Sequence, residues 1–194
     1  MKRICLATLT TIALTSLALA QAPVTPPAAT PPATTTPAGK VKPLAQSDVK
    51  AVQVFAEALL FHMKMGEVAK NRKDKDAPLS EMGGKINGDA KAQWTPMVNI
   101  AQAHQMDGKN IPAEVTKSDK SNIDKLGKIK DDKYSVEFLD LFAKEAKRNA
   151  KSTESAAKGI NDAELKTWSE GASKLIAAQA DELEAAHKEA KKKK

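Results

Sequence analysis

A single cysteine is present in the 194 residues, and it is Cys5. It lies inside "MKRICLATLTTIALTSLALAQA", where Lys2 and Arg3 precede an uncharged apolar run closing on Ala18, Leu19 and Ala20. That order of basic start, apolar middle and small-x-small end is the signature of a secretory leader over residues 1–20, cleaved after Ala20. Its removal would take the lone thiol with it, leaving a mature chain without disulfides, cysteine nucleophiles or thiolate metal sites. The expectation is a periplasmic or secreted protein, free or associated with the outer membrane. The same run is about as long as the shortest membrane-spanning helices, roughly 17 residues, so retention as an anchor is the alternative. No later stretch is apolar for long enough to span a bilayer.

Aromatic residues are scarce, at 4% of the chain, so stacking platforms for bases are hard to build. The net charge of +7 first suggests a polyanion partner, but its distribution does not. Without Lys2 and Arg3 the balance falls to +5, and the last seven residues, with Lys188 and Lys191 to Lys194 against Glu189, hold +4 of that. Residues 21–187 are therefore nearly neutral, and no nucleic-acid partner is expected. The 188–194 tail is the one positional charge signal. It reads either as a solvated helix end or as a weak electrostatic contact with anionic lipid, lipopolysaccharide or cell-wall polymer. Each lysine near an anionic leaflet contributes about 1 kcal/mol.

Residues 21–46, "QAPVTPPAATPPATTTPAGKVKPLAQ", consist almost wholly of Ala, Pro and Thr. They lack the apolar content that offsets chain entropy, and read as a disordered linker reaching roughly 70 to 80 Å in polyproline form. From Ser47 to His187 the apolar spacing is helical throughout, with no clean alternation for a strand, so the fold class is all-α. Ser47 reads as the N-cap of a first helix with Asp48 in its first turn. Val52, Phe55, Leu59, Met63 and Gly66 form one face, which Phe61, Met65 and Val68 widen. A stripe that wide belongs to a helix central in its bundle, or to one docked on a partner.

"APLSEMGGKINGDAKAQWTPMVNIAQAHQMDG" is harder to read. Gly83, Gly84 and Gly88 cost about 1 kcal/mol each in a helix and Pro96 about 3, together on the order of a small domain's whole stability. The spacing predicts a helix broken or kinked near Thr95, as a tolerated kink or a hinge. A short helix capped by Ser118 follows. A long one then carries Val136, Leu139, Phe142, Ala143 and Ala146 on one side and ends at Gly159, where a left-handed residue is common. Asn161 with Glu164 resembles a capping box opening the last helix, along which Leu165, Trp168, Ala172, Leu175, Gln179, Leu183 and Ala186 recur. The count is four long helices and one short.

"MGEVAKNR", "DAKAQWTPMVNIAQAHQMDGKNIP", "IDKLGKIKDDKYSVEFLDLFAKEAKRN" and "DAELKTWSEGASKLIAAQADELEAA", in that order and spacing, resemble the bacterial envelope proteins grouped as domain of unknown function 4142. The resemblance spans roughly Val49 to His187. It implies an exported, ferritin-like four-helix bundle with no established activity. Similar chains place histidines where this one has Ala90, Ala146 and Gln179, facing His62 and Lys64 on the first helix.

A carboxylate-bridged metal pair needs a Glu from each of two helices and E-x-x-H from each of the other two. The chain offers one such motif, Glu184 to His187, beside the lysine tail, where a solvated helix end is the plainer reading. His62 and His104 are each either a lone ligand or base, or a satisfied, partly buried histidine; neither has a Ser, Cys or paired carboxylate nearby in sequence. Trp94 and Trp168 are sugar-stacking candidates or, at helical spacing, core and rim packing. No catalytic, cofactor-binding or metal residues are assigned and no cofactor is expected. The functional expectation is a non-enzymatic binding or structural module of the envelope, with a metal-binding or stress-response protein using divergent ligands as the alternative.

Overall fold

The computed structural model describes residues 42–72 and 75–193, the side chain of Asp132 excepted; the expected leader and all but the last residues of the expected linker lie outside this range. Five α-helices are present: α1 Gln46–Lys70, α2 Ala77–Ala103, α3 Lys117–Leu126, α4 Asp131–Lys158 and α5 Ala163–Lys192, with one 3-10 turn at Gly108–Asn110. The chain is all-α among the described residues, as its periodicity requires, with four long helices and one short.

Contacts at the helix ends fix the topology. Asp48, in the first turn of α1, accepts hydrogen bonds from the amides of Asn161 (2.8 Å) and Asp162 (3.2 Å), between α4 and α5. His104, which closes α2, lies at the same end, its Nε2 3.3 Å from Asp162. At the other end Arg72 and Lys75, between α1 and α2, meet Asp131 at the start of α4. Residues 104–130 must therefore run the length of the bundle. Two antiparallel hairpins joined by one long crossover is the connectivity of ferritin-like bundles.

Two apolar clusters fill the interior. Phe55, Leu59, Met97, Leu165 and Ile176 belong to the cluster toward the Asp48 end, and Phe61, Met65, Phe138, Phe142 and Leu183 to the one toward the Asp131 end. Helix α1 contributes to both, which explains its wide stripe: it packs on α2 and α4 and is covered in part by the crossover. Arg148 ties that crossover down. Its guanidinium, on α4, sits between buried Asp119 of α3 (3.4 Å) and Glu145 (2.8 Å).

The expected break in α2 does not occur; the helix runs through Pro96 to Ala103. Pro96 and Ala92, one turn before it, are both solvent-exposed, so the Ala92 carbonyl that loses its intrahelical partner faces water rather than the core. Gly83 is needed by tertiary contact. A Cβ there would fall 2.4 Å from Ala69 Cβ, and one on Gly66 would fall 2.6 Å from the Gly83 carbonyl oxygen. The two glycines let the α1 and α2 backbones touch, and small polar neighbours use the approach. Ser80 Oγ donates to the Lys70 carbonyl (2.8 Å) and Asn87 Nδ2 to that of Met63 (2.6 Å). Gly84 and Gly88 face open space.

Helix caps differ from expectation by one or two residues. α1 begins after Ala45 with no side-chain cap, placing Ser47 inside the helix. Thr116, not Ser118, caps α3, and Asp162, not Asn161, caps α5 through the Leu165 amide. Asn161 instead donates from Nδ2 to Ser47 Oγ (2.9 Å). Gly159 closes α4 in a right-handed conformation, φ −91. For α3 and α5 a neighbouring side chain of comparable capping ability takes the role.

Candidate functional site

At the middle of the bundle, where α1, α2, α4 and α5 converge, His62 is fully buried. It is more buried than the sequence suggests, and only one of its ring nitrogens is satisfied. Nδ1 donates to Gln179 Oε1 on α5 at 2.7 Å, and Gln179 Nε2 donates in turn to Asp89 Oδ2 on α2 at 3.3 Å. Nε2 has no hydrogen-bond partner. The rings of Phe61 and Phe142 stand edge-on, with centroids 6.1 and 5.6 Å away. Burial drives the imidazole pKa down from 6.5 to about 4, and the Gln179 hydrogen bond opposes this only in part. The group is thus a neutral imidazole at pH 7 whose Gln179-directed proton fixes the tautomer.

The positions singled out by resemblance fall as follows. Ala90 and Ala146 are buried core residues without donor atoms, and Gln179 supplies an amide rather than an imidazole. Lys64 points outward and pairs with Glu67 at 3.0 Å. Among the described residues the bundle centre therefore holds one inward imidazole, linked through Gln179 to a half-buried carboxylate. Among the described residues no three His, Cys, Asp or Glu side chains converge as a metal-binding group. Sequence spacing could not reveal the Asp89–Gln179–His62 chain, because its members sit on three separate helices.

Glu184 and His187 are separated in use. Glu184 is held by Lys147 of α4 and by Lys188 at 3.1 Å, cationic surroundings that depress its pKa through those two hydrogen bonds and oppose a third cation. His187 is not a solvated terminus: its side chain is 12% exposed, with Nε2 3.5 Å from Asp140. α5 continues past it to Lys192, and Ala186 and Ala190 pack on the core. His104 spans the Asp48 end, its Nδ1 donating to the Lys42 carbonyl at 2.9 Å. Trp168 packs edge-on against Phe55 at 4.9 Å, and Trp94 lies half-buried against the same cluster; both are packing residues.

A groove of about 770 Å³ runs between α1, α2 and the crossover. Leu60, Met63 and Ile123 line it, with Lys70, Lys91 and Glu114 among its charged groups. It contains no histidine or buried nucleophile. No helix among the described residues is long and apolar enough to cross a membrane.

Residues 33–186 match the family model described as Domain of unknown function (DUF4142). No curated protein and no solved structure matches the chain.

Proposed function

The chain belongs to the DUF4142 family, and from that premise we propose that it is a non-enzymatic, exported helical-bundle module serving a binding or structural role in the cell envelope. Support for a non-catalytic reading comes chiefly from the bundle centre. A di-metal bundle places several carboxylates and two histidines there. This one places Phe61, Phe142, buried alanines and a single neutral imidazole held by an amide. Support for export comes from the leader pattern of residues 1–20, and support for a binding role from the groove beside the crossover.

Metal binding through divergent ligands is the second reading. The observation that favours it is the unpartnered Nε2 of His62. One imidazole with one half-buried carboxylate beyond a glutamine falls short of the three or four donors a resident metal takes. Metal analysis of protein purified without chelators separates the readings. Well under one metal per chain is expected. Stoichiometric iron, manganese or zinc, lost in His62→Ala, would replace the first reading with the second.

A further inference from the structure

The sequence places its excess charge in the final seven residues, but the fold brings lysines from two other segments to the same end. Arg72 and Lys75 contact Asp131, Ile129 packs on the same apolar cluster as Ala190, and Lys85 pairs with Glu182 at 2.7 Å. These contacts set the close of α1, the α3–α4 junction and the last turns of α5 level with one another. Carboxylates neutralise some of the cations there: Asp131 holds Arg72 and Lys75, Glu184 holds Lys188, and Glu189 holds Lys192. Asp76 caps α2 and accepts from Ser135. Lys70, Lys128, Lys130, Lys133, Lys191 and Lys193 are all exposed and have no carboxylate partner among the described residues. At the opposite end Lys42, Lys50, Lys109, Lys151, Lys158 and Lys166 are nearly balanced by Asp48, Asp107, Glu154, Asp162 and Glu164.

We propose that this end of the bundle is a docking surface for an anionic phospholipid bilayer, meeting it with lysines from three chain segments rather than with the C-terminal tail alone. The inference rests on the envelope reading and names its partner. Lysines carried on the ends of separate helices are presented together to a plane lying across the bundle axis. A soluble polyanion is followed by a groove interleaved with aromatics, and the one tyrosine at this end, Tyr134, is buried beneath the Arg72 guanidinium, 3.9 Å from its ring centroid. The attraction acts within a Debye length and weakens with salt.

The test is sedimentation of the intact chain, as isolated from cells, with phosphatidylglycerol–phosphatidylcholine vesicles at low and high salt. Each lysine lost is expected to lower partitioning about five-fold. The triple variant Lys128→Gln, Lys130→Gln, Lys133→Gln should therefore lose roughly a hundred-fold, as should Lys191→Gln, Lys192→Gln, Lys193→Gln. The triple Lys50→Gln, Lys109→Gln, Lys166→Gln, at the opposite end, should stay within about two-fold, with circular dichroism confirming that all three remain folded. Loss confined to the Lys191–Lys193 variant would overturn the shared surface in favour of the tail. Equal loss in all three would show diffuse attraction, and equally tight binding to a soluble oligonucleotide would show a polyanion site instead. Export is scored separately, by finding Gln21 as the N-terminus of protein recovered from the envelope, so each reading can fail without the other.

Discussion

At the end where α4 turns into α5, the Asp48 carboxylate is 2% exposed and accepts from two backbone amides. At the other end Asp131, 61% exposed, holds Arg72 and Lys75 in open water. Both are single aspartates joining helix termini far apart in sequence, yet burial gives them different weight. A buried carboxylate cannot be lost without leaving the amides it served unpaired, whereas an exposed pair exchanges readily with water and salt. The Asp131 end is held instead by the Gly66–Gly83 backbone contact and the Tyr134–Phe138–Phe142 aromatic series. The Asp48 end adds a buried carboxylate to its packing, whereas the ion pairs of the Asp131 end stay in water, where they serve as a surface.

The largest expected effect that would break this contrast is at the packed end. Gly83→Ala must push α1 and α2 apart and should cost about 3 kcal/mol in urea denaturation. Gly88→Ala, one turn along and facing open space, should stabilise by about 0.5 to 1 kcal/mol. Similar values for both would mean the two helices do not touch as described.

At the polar end, Asp48→Ala should cost about 2 to 4 kcal/mol, because the Asn161 and Asp162 amides lose their acceptor. Asp131→Asn should lower the melting temperature only slightly, and by less as salt rises. An equal response would erase the distinction between the ends.

Between them lies His62, which sharpens the comparison through pH. Its folded pKa of about 4 is depressed from 6.5 by burial, so the unfolded chain binds the proton first as pH falls. The stabilisation is fully present above about 6.5 and is lost progressively toward about 4, a change of about 3 kcal/mol. His62→Leu should flatten the stability profile across that window. An unchanged slope would assign it to carboxylates instead.

Much of the fold was legible in the chain. The wide stripe of α1 implies a helix central in its bundle or one docked on a partner, and the structure divides its buried residues between two core clusters. Leu165, Ala172 and Leu183 of α5 are buried as their spacing requires, while Leu175 yields the centre to Ile176. Reading failed where a neighbour outside the local window decided the outcome. Propensity made Gly83 and Pro96 two faults of one kind. In the fold Gly83 is a contact and Pro96 a tolerated surface residue. The single E-x-x-H motif has local spacing but no convergence, since Glu184 is taken by lysines.

The sequence by itself determined the helical class, the number of helices and which faces turn inward, because these follow from periodicity within single segments. Only the tertiary structure decided which residues meet across segments: Asp48 with the α5 start, His62 with Gln179 and Asp89, and lysines of three segments at one end. Those pairings depend on helix order, depth and register, which no local pattern encodes. The chemistry of burial and charge is set there, by what each side chain is brought against.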